Sequence, residues 1–209
     1  MTGSSADSLA PWVLASGSPQ RKKLLAEVTE RFTVLPADVD ETPPAGPLAE
    51  AVRVLARRKA VAVAARGAQG TLLAADTVID LDGELLGKPE HDDDARRMLA
   101  RLAGRAHLVH TGVALLHAAG GRLRGVDGVA TTTVRFRPLA PDEIAAYVAS
   151  GEPHGKSGSY AVQGGAARFV ERIDGAIDNV VGLPVALVKA LAERLVERLA
   201  EPFARPLGR

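Results

Sequence analysis

The fold is decided by an apolar segment that runs into a capped helix, Trp12-Val13-Leu14-Ala15-Ser16-Gly17-Ser18-Pro19-Gln20-Arg21. Residues 12–15 are apolar and predict a buried strand. Ser18 is suited to cap a helix, and Pro19 fits the first helical position, because the N–H group that proline lacks would have no partner there. A strand that leads directly into a helix is the repeating unit of α/β proteins.

The same alternation continues along the chain. Residues 82 and 83 are Asp-Gly, a tight-hairpin signal that predicts a return through residues 84–86. Hairpins among the alternating elements indicate a mixed sheet, so we expect an α/β domain over residues 11–209, preceded by a flexible tail at 1–10. Helices are predicted at 48–65, 92–103, 141–150 and 183–199, and strands at 32–35, 71–81, 107–117, 122–136, 160–162 and 169–173.

The composition of the 209 residues excludes several classes of function. The chain has no cysteine, which removes disulfides, thiolate metal sites and cysteine nucleophiles. A net charge of +1 and 3% aromatic residues argue against a nucleic-acid partner. No apolar run approaches the ~18 residues of a membrane helix, and residues 1–10 lack the pattern of a secretory signal. We therefore expect a cytoplasmic protein with no nucleic-acid or membrane partner.

The turn at residues 16–23 is the first candidate binding site. Ser16, Gly17 and Ser18 allow close approach to the backbone, and Arg21 begins a basic run, a combination that suits phosphate. The spacing of a Walker loop is absent. The alternative interpretation is a capped helix with a solvated basic first turn.

Two acidic residues are candidate metal ligands. Asp76 interrupts an apolar strand, where a carboxylate is costly unless it is paired or bound to a metal, so it is a candidate ligand or general base. Glu41 offers a second carboxylate, and Mg²⁺ uses one or two carboxylates together with phosphate oxygens. The alternatives are a strand-end aspartate bonded to nearby N–H groups and a solvated acidic loop.

Lysine is scarce in this chain, with 6 lysines against 20 arginines, so each lysine is weak evidence that an ammonium is needed there. Lys88 closes the hairpin that follows Asp76, and Lys156 lies in a loop rich in glycine and serine. Gln163 in the same loop carries both a donor and an acceptor, which suits the edge of a base. The alternatives are an exposed turn lysine and a flexible surface loop. His110 and Thr111 are candidates for lining a cleft, although such residues are more often structural.

Nine short segments with the residues described above, and others like them, follow one another along the chain. They are Leu14-Ala15-Ser16-Gly17-Ser18-Pro19-Gln20-Arg21, Val39-Asp40-Glu41, Arg58-Lys59-Ala60, Ala75-Asp76-Thr77, Leu86-Gly87-Lys88-Pro89, Thr111-Gly112-Val113, Lys156-Ser157-Gly158-Ser159-Tyr160, Gln163-Gly164 and Val181-Gly182-Leu183-Pro184. Taken in this order, the segments resemble the Maf family of nucleoside triphosphate pyrophosphatases. The resemblance implies a two-lobed fold of the Maf/ITPase type, in which a long curved mixed sheet is flanked by helices and a cleft lies at its centre. It also implies a homodimer that uses Mg²⁺ or Mn²⁺ to hydrolyse nucleotides between the α and β phosphates.

The resemblance also assigns roles. Asp76 matches the proton acceptor, and Thr77 and Gln163 match positions linked to base choice, in the form typical of the dTTP/UTP branch. Gln20 stands where that branch usually has arginine, and Gly155 replaces an acid common before Lys156. The predicted site is catalytic Asp76, the metal ligands Glu41 and Asp76, and the substrate-binding residues Ser16, Ser18, Gln20, Arg21, Lys59, Thr77, Lys88, Lys156 and Gln163.

The expected activity is therefore house-cleaning or division-linked hydrolysis of dTTP, UTP or modified pyrimidine nucleotides to a monophosphate and pyrophosphate. The family's association with septum formation leaves an alternative, a nucleotide-binding regulator with incidental turnover. A nucleotidyltransferase remains a third possibility, because it also combines a basic loop with carboxylate-held Mg²⁺.

Overall fold

A computed structural model describes residues 5–201 and contains, in that range, one mixed sheet of seven strands. The strand order is β2-β1-β3-β5-β6-β7, with β4 paired to β3. β1 runs parallel to β2 and β3, and the other pairs are antiparallel, which confirms the predicted mixed α/β class. The strands are β1 Trp12–Leu14, β2 Phe32–Val34, β3 Gly70–Leu81, β4 Glu84–Leu86, β5 Ala106–Ala119, β6 Arg122–Phe136 and β7 Val170–Asp174.

Helices cover the sheet on both faces. The long helix α3 lies against β3 and β5, and α7 lies against β5 and β6. Two short 3₁₀ turns, Ser157–Ser159 and Gly165–Phe169, lie between the fifth helix and β7. The helices are α1 Ser5–Ser8, α2 Pro19–Leu25, α3 Leu48–Ala65, α4 Asp92–Leu102, α5 Pro141–Ala149, α6 Ile177–Val181 and α7 Val185–Ala200.

Three long strands supply the cores of both lobes. One half of β3, with Leu72 and Leu73, packs under α3 on one face and α7 on the other. The other half, with Ile79 and Leu81, packs with α4 and α5 in a separate cluster around Phe136. Because β3, β5 and β6 run through both clusters, the two lobes share one sheet.

A gap in strand pairing opens between these lobes at one edge of β3. β1 pairs with β3 as far as Leu73, and β4 begins to pair at Ile79. Among the described strands, residues 74–78 therefore have β5 as their neighbour on one side and no strand on the other. This edge leaves room for a cleft.

Helix α3 approaches the sheet closely beside the gap. A Cβ at Gly112 of β5 would lie 2.4 Å from the carbonyl oxygen of Val52 in α3, a distance that backbone atoms do not tolerate. Glycine at this position lets α3 settle onto the face of β3 that carries Asp76, because Gly112 is the cross-strand partner of Asp76.

The predicted flexible tail differs from the structure over residues 5–10, while residues 1–4 lie outside the described part. Ala6 and Leu9 are buried in the cluster under α7. The indole Nε1 of Trp12 donates a hydrogen bond of 3.0 Å to the carbonyl oxygen of Ala6. The prediction failed because small and polar residues hid an apolar pair that packs against the core. No helix within residues 5–201 is long and apolar enough to span a membrane.

The strand predicted at residues 160–162 is wrong. Tyr160 is buried, and its hydroxyl lies 2.8 Å from Nε2 of His107. The amide of Ala161 donates to the hydroxyl of Tyr147 instead of to a neighbouring strand. These apolar residues are buried by side-chain anchors, and an apolar triplet alone does not distinguish that arrangement from a strand.

The buried ring of His107 predicts a loss of stability in mild acid. Burial lowers the pKa of His107 from 6.5 to about 4, so the folded protein keeps the ring neutral while the unfolded chain takes up a proton below 6.5. The contribution is complete above pH 6.5 and declines as the pH falls to 4, by about 3 kcal/mol in total. We expect urea denaturation of His107→Phe to show a flatter pH dependence than the wild type in this window. Equal slopes in His107→Phe and the wild type would contradict the prediction.

Candidate active site

A cavity of about 860 Å³ lies at the gap in strand pairing. Walls from α2, α3, β3 and the loop before β7 converge on it. The structure brings every predicted site residue together in the lining of this cavity. They are Ser16, Ser18, Gln20, Arg21, Glu41, Lys59, Asp76, Thr77, Lys88, Lys156 and Gln163.

An ammonium joins the two predicted carboxylates. Nζ of Lys59 lies 2.5 Å from Oδ1 of Asp76 and 2.7 Å from Oε1 of Glu41. The side chains of Lys59 and Asp76 are only 7% and 15% exposed. α3 presents Lys59 on its buried face, one turn after Leu55 and Ala56. The lysine therefore offsets the repulsion between the largely buried carboxylate of Asp76 and the half-exposed carboxylate of Glu41.

Glu41 stays ionised because it is bonded to two lysines. The hydrogen bond from Lys59 lowers the pKa of Glu41 to about 2, and Lys88, with Nζ 3.1 Å from Oε2, lowers it further against the opposing effect of burial. Glu41 is thus a carboxylate throughout the neutral range, which is the form that binds cations.

The donor set at this point fits a hard divalent metal. Two carboxylates meet at Lys59, and within residues 5–201 no group of three or more histidine or acidic side chains could hold a metal by itself. Mg²⁺ commonly takes one or two protein carboxylates and completes its shell with water and substrate phosphates. Asp76 and Glu41 would hold such an ion together with a phosphate-bearing ligand.

Arg21 projects into the cavity from α2. Its Nε donates to the carbonyl oxygen of Gly182 at 2.8 Å, and its Nη2 and Nη1 donate to Oγ1 of Thr77 and Oγ of Ser16 at 3.0 and 3.3 Å. Burial lowers the pKa of Arg21, although the charges of Asp76 and Glu41 act in the other direction. Its bonded partners are neutral, so its positive charge remains available to an anion.

Ser16 and Ser18 shape the turn into α2. Oγ of Ser18 accepts a hydrogen bond from the amide of Arg21 at 3.3 Å, as the predicted cap requires, and Oγ of Ser16 accepts from the amide of Ser18 at 3.2 Å. Both hydroxyls therefore order the turn from which Gln20 and Arg21 project.

The side chains of Asp76 and Thr77 lie on opposite faces of β3. Successive side chains of a strand alternate, so Asp76 faces α3 while Thr77 faces α6. Oγ1 of Thr77 lies 3.0 Å from Oγ1 of Thr111, which in turn donates to the carbonyl oxygen of Asn179 at 2.9 Å. Thr111 and Asn179 are buried and do not line the cavity, but they reach it through Thr77.

Two residues that the sequence analysis did not single out hold the Gln163 loop. The hydroxyl of Tyr147 donates to Oε1 of Glu152 at 2.9 Å and accepts from the amide of Ala161 at 3.1 Å. Oε2 of Glu152 accepts from the amide of Gly165 at 3.0 Å. The sequence contains no pattern that pairs α5 with this loop, because the contact depends on the tertiary fold.

The Lys156 loop is attached to the hairpin loop across the cavity. The amide of Gly158 donates to the carbonyl oxygen of Gly87 at 2.8 Å, and Oγ of Ser157 donates to the carbonyl oxygen of Thr77 at 3.3 Å. These bonds bring Lys88 and Lys156, which are far apart in sequence, to the mouth of one cavity.

Together these features define a protein of the α/β class whose cleft joins a carboxylate pair to several cations, the arrangement expected for a polyanionic ligand that carries a metal. The chain belongs to the Maf family, since the family model described as "Maf-like protein" matches residues 11–195.

Relatives of known name are similar over most of the chain. A dTTP/UTP pyrophosphatase of Myxococcus xanthus is 50% identical over 169 residues, covering 80% of this chain and 84% of the relative. A protein of the same name from Salinibacter ruber is 51% identical over 173 residues, covering 81% and 83%. Among solved structures, the Staphylococcus aureus Ham1 protein matches 88% of this chain and 98% of its own, with 13% identity and a TM-score of 0.45.

Proposed function

We propose that this protein hydrolyses nucleoside triphosphates, with dTTP and UTP as preferred substrates, to a nucleoside monophosphate and pyrophosphate. Relatives of about 50% identity that are named dTTP/UTP pyrophosphatases support the activity. The observation that carries the proposal is the position of Asp76 in the cavity, bonded to Lys59 and surrounded by further cations.

The cations of the cavity bind the triphosphate. Lys59, Lys88, Lys156 and Arg21 line it, and their charges offset those of the phosphate oxygens. Phosphoryl transfer needs little covalent help from a protein, so positioning and electrostatic stabilisation supply most of the rate enhancement. Lys59, which offsets the charges of Asp76 and Glu41, would also lie near the phosphate oxygens on which negative charge accumulates in the transition state.

Asp76 orients the attacking water and accepts one of its protons. The water oxygen forms a bond to the α-phosphorus, and the bond from that phosphorus to the oxygen bridging the α and β phosphates breaks. The bridging oxygen leaves with the pyrophosphate, and the proton of the water passes to the Asp76 carboxylate. Mg²⁺ or Mn²⁺, held by Asp76 and Glu41, would supply Lewis-acid stabilisation of phosphate charge when bound. Glu41 keeps its negative charge during the step because Lys59 and Lys88 lower its pKa.

The base binds on the other face of β3, near Thr77. Thr77 and Gln163 line that part of the cavity together with the apolar side chains of Val180 and Val181. An apolar surface with a few uncharged polar groups suits a base better than a phosphate. Gln20, where the dTTP/UTP branch usually has arginine, lines the same cavity and removes one positive charge from it.

Assembly, compartment and biological role complete the proposal. We propose a homodimer in the cytoplasm and a house-cleaning role. A regulator of septum formation that only binds nucleotide would need the cations but not the Asp76–Glu41 pair, so the bridged pair supports turnover.

A panel of dTTP, UTP, CTP, GTP and 7-methyl-GTP, each with Mg²⁺, Mn²⁺ or EDTA, tests the activity. We expect monophosphate and pyrophosphate from dTTP and UTP with metal, and no turnover with EDTA. A diphosphate with inorganic phosphate, exchange of labelled pyrophosphate into nucleotide, or binding without turnover would each contradict the proposal.

A further inference from the structure

A row of polar groups leads from the cavity into the core behind Thr77. Three hydrogen bonds form the row: Arg21 to Thr77 at 3.0 Å, Thr77 to Thr111 at 3.0 Å, and Thr111 to Asn179 at 2.9 Å. Thr111 and Asn179 are each fully buried. These two residues have no contact with the cavity, and the reaction proposed above does not use them.

The groups at the two ends of this row determine which hydroxyl donates and which accepts in each hydrogen bond. The carbonyl oxygen of Asn179 accepts only, so the single hydroxyl proton of Thr111 is donated to it. The bond between the two hydroxyls then requires Thr77 to donate its own proton to Thr111. At the other end, the guanidinium of Arg21 donates only, and it occupies one lone pair of the Thr77 oxygen.

Thr77 therefore offers the cavity one lone pair and no proton. An acceptor-only oxygen repels a phosphate oxygen, so Thr77 itself does not bind the triphosphate, although the neighbouring Arg21 does. A substrate atom that bonds to Thr77 must be a donor. Uracil and thymine carry a ring N3–H donor beside an O4 acceptor, whereas cytosine has an N3 acceptor beside an N4 amino donor. An acceptor-only hydroxyl that faces N3 therefore favours uracil and thymine, and one that faces the 4-position would favour cytosine.

We propose that N3 of the base faces Thr77, and that Thr111, fixed by Asn179, is a positioning residue that keeps Thr77 an acceptor and thereby selects uracil and thymine over cytosine. This inference rests on the proposed function. Asn179 is suited to the task because its amide Nδ2 donates to the carbonyl oxygen of Val109 and to Oγ1 of Thr132, each at 3.0 Å, and so binds α6 to β5 and β6. The carbonyl oxygen that accepts the hydrogen bond from Thr111 is consequently held in place.

The test compares Thr111→Val with the wild type, using UTP and CTP as substrates. Valine has nearly the same shape but no hydroxyl, so Thr77 becomes free to turn its proton toward the cavity. We expect the ratio of kcat/KM for UTP over CTP to fall about tenfold, because a buried polar group left mispaired costs on that scale. Thr111→Ser keeps the hydroxyl and should stay within about twofold of the wild-type ratio.

Several results would overturn the inference. An equal loss for both nucleotides in Thr111→Val would show a merely structural role, and an unchanged ratio would show that Thr111 does not set the polarity. If Thr111→Val fails to fold, the wild type alone decides, because similar kcat/KM values for UTP and CTP contradict an acceptor-only Thr77.

Binding measurements separate this inference from the proposed activity. The α,β-methylene analogues of UTP and CTP lack the bond that would be broken, so their dissociation constants, measured by calorimetry, report base choice without turnover. We expect tighter binding of the UTP analogue by about tenfold in the wild type and a reduced difference in Thr111→Val. Failure of hydrolysis with this pattern intact would refute the proposed activity alone, and equal binding of both analogues by the wild type would refute the inference.

Discussion

Asp76→Asn is expected to lower kcat for dTTP by at least about 100-fold, the usual contribution of a general base. The amide is almost isosteric, but it accepts no proton from water and binds metal more weakly. The bond to Nζ of Lys59 also loses its ionic character. KM should change much less than kcat, because the cations that bind the triphosphate remain. Steady-state kinetics with saturating Mg²⁺ measures both constants.

Asp80→Asn is the matched control for this variant. Asp80 lies on the same strand, its side chain is likewise 15% exposed, and it interacts with His110 and with the amide of Gly83. It does not line the cavity. Its substitution should leave kcat within about threefold of the wild type. Near-normal turnover in Asp76→Asn, or equal losses in the two variants, would refute the role of Asp76.

Lys59→Met is expected to destabilise the protein at pH 7 by about 3 kcal/mol, because breaking a buried ion pair leaves a carboxylate without its partner. Methionine keeps the apolar stem of lysine but removes the ammonium between Asp76 and Glu41. The same change removes a phosphate-binding charge, so we expect kcat/KM to fall about 100-fold as well. Urea denaturation and kinetics measure the two effects.

The stability deficit of Lys59→Met should shrink in acid. In the wild type the pKa of Glu41 is lowered from 4.5 to about 2, so its stabilising contribution is complete above pH 4.5 and is lost as the pH falls toward 2. The variant lacks the main cause of that pKa shift, so it loses less stability than the wild type as the pH falls through this range. Lys189→Met, at an exposed site on α7, should match the wild type at every pH. A deficit that stays constant from pH 7 to 3 would contradict the assigned ion pairs.

The alternation of apolar strands and periodic helices was sufficient to predict most of the elements. The predicted helix at 48–65 matches α3, and the Asp82-Gly83 hairpin joins β3 to β4 as expected. These elements follow from local signals, since periodicity, caps and tight turns act over a few residues. The residues predicted to form the site were recognised partly by residue type and partly, as for Lys59, by the resemblance to the Maf family, and all of them line one cavity.

The failures share a different cause. The supposed tail packs at residues 5–10 and the supposed strand at 160–162 is an anchored loop, because burial there depends on Trp12, His107 and Tyr147, which are distant in sequence or on another element. The polar row behind Thr77 and the Glu152 contact to the Gln163 loop also escaped notice, since neither has a spacing that local analysis could detect.

By itself the sequence determined the α/β class, the strand–turn–helix at residues 12–21 and the chemical types of the site residues, because short-range hydrogen bonding and apolar patterning dictate them. Only the tertiary structure decided that Lys59 stands between Asp76 and Glu41, and that Asp76 and Thr77 open onto one cleft from opposite faces of β3. The physical reason is that the cleft is a missing strand neighbour between β1 and β4. Which edge remains unpaired depends on the packing of the whole sheet.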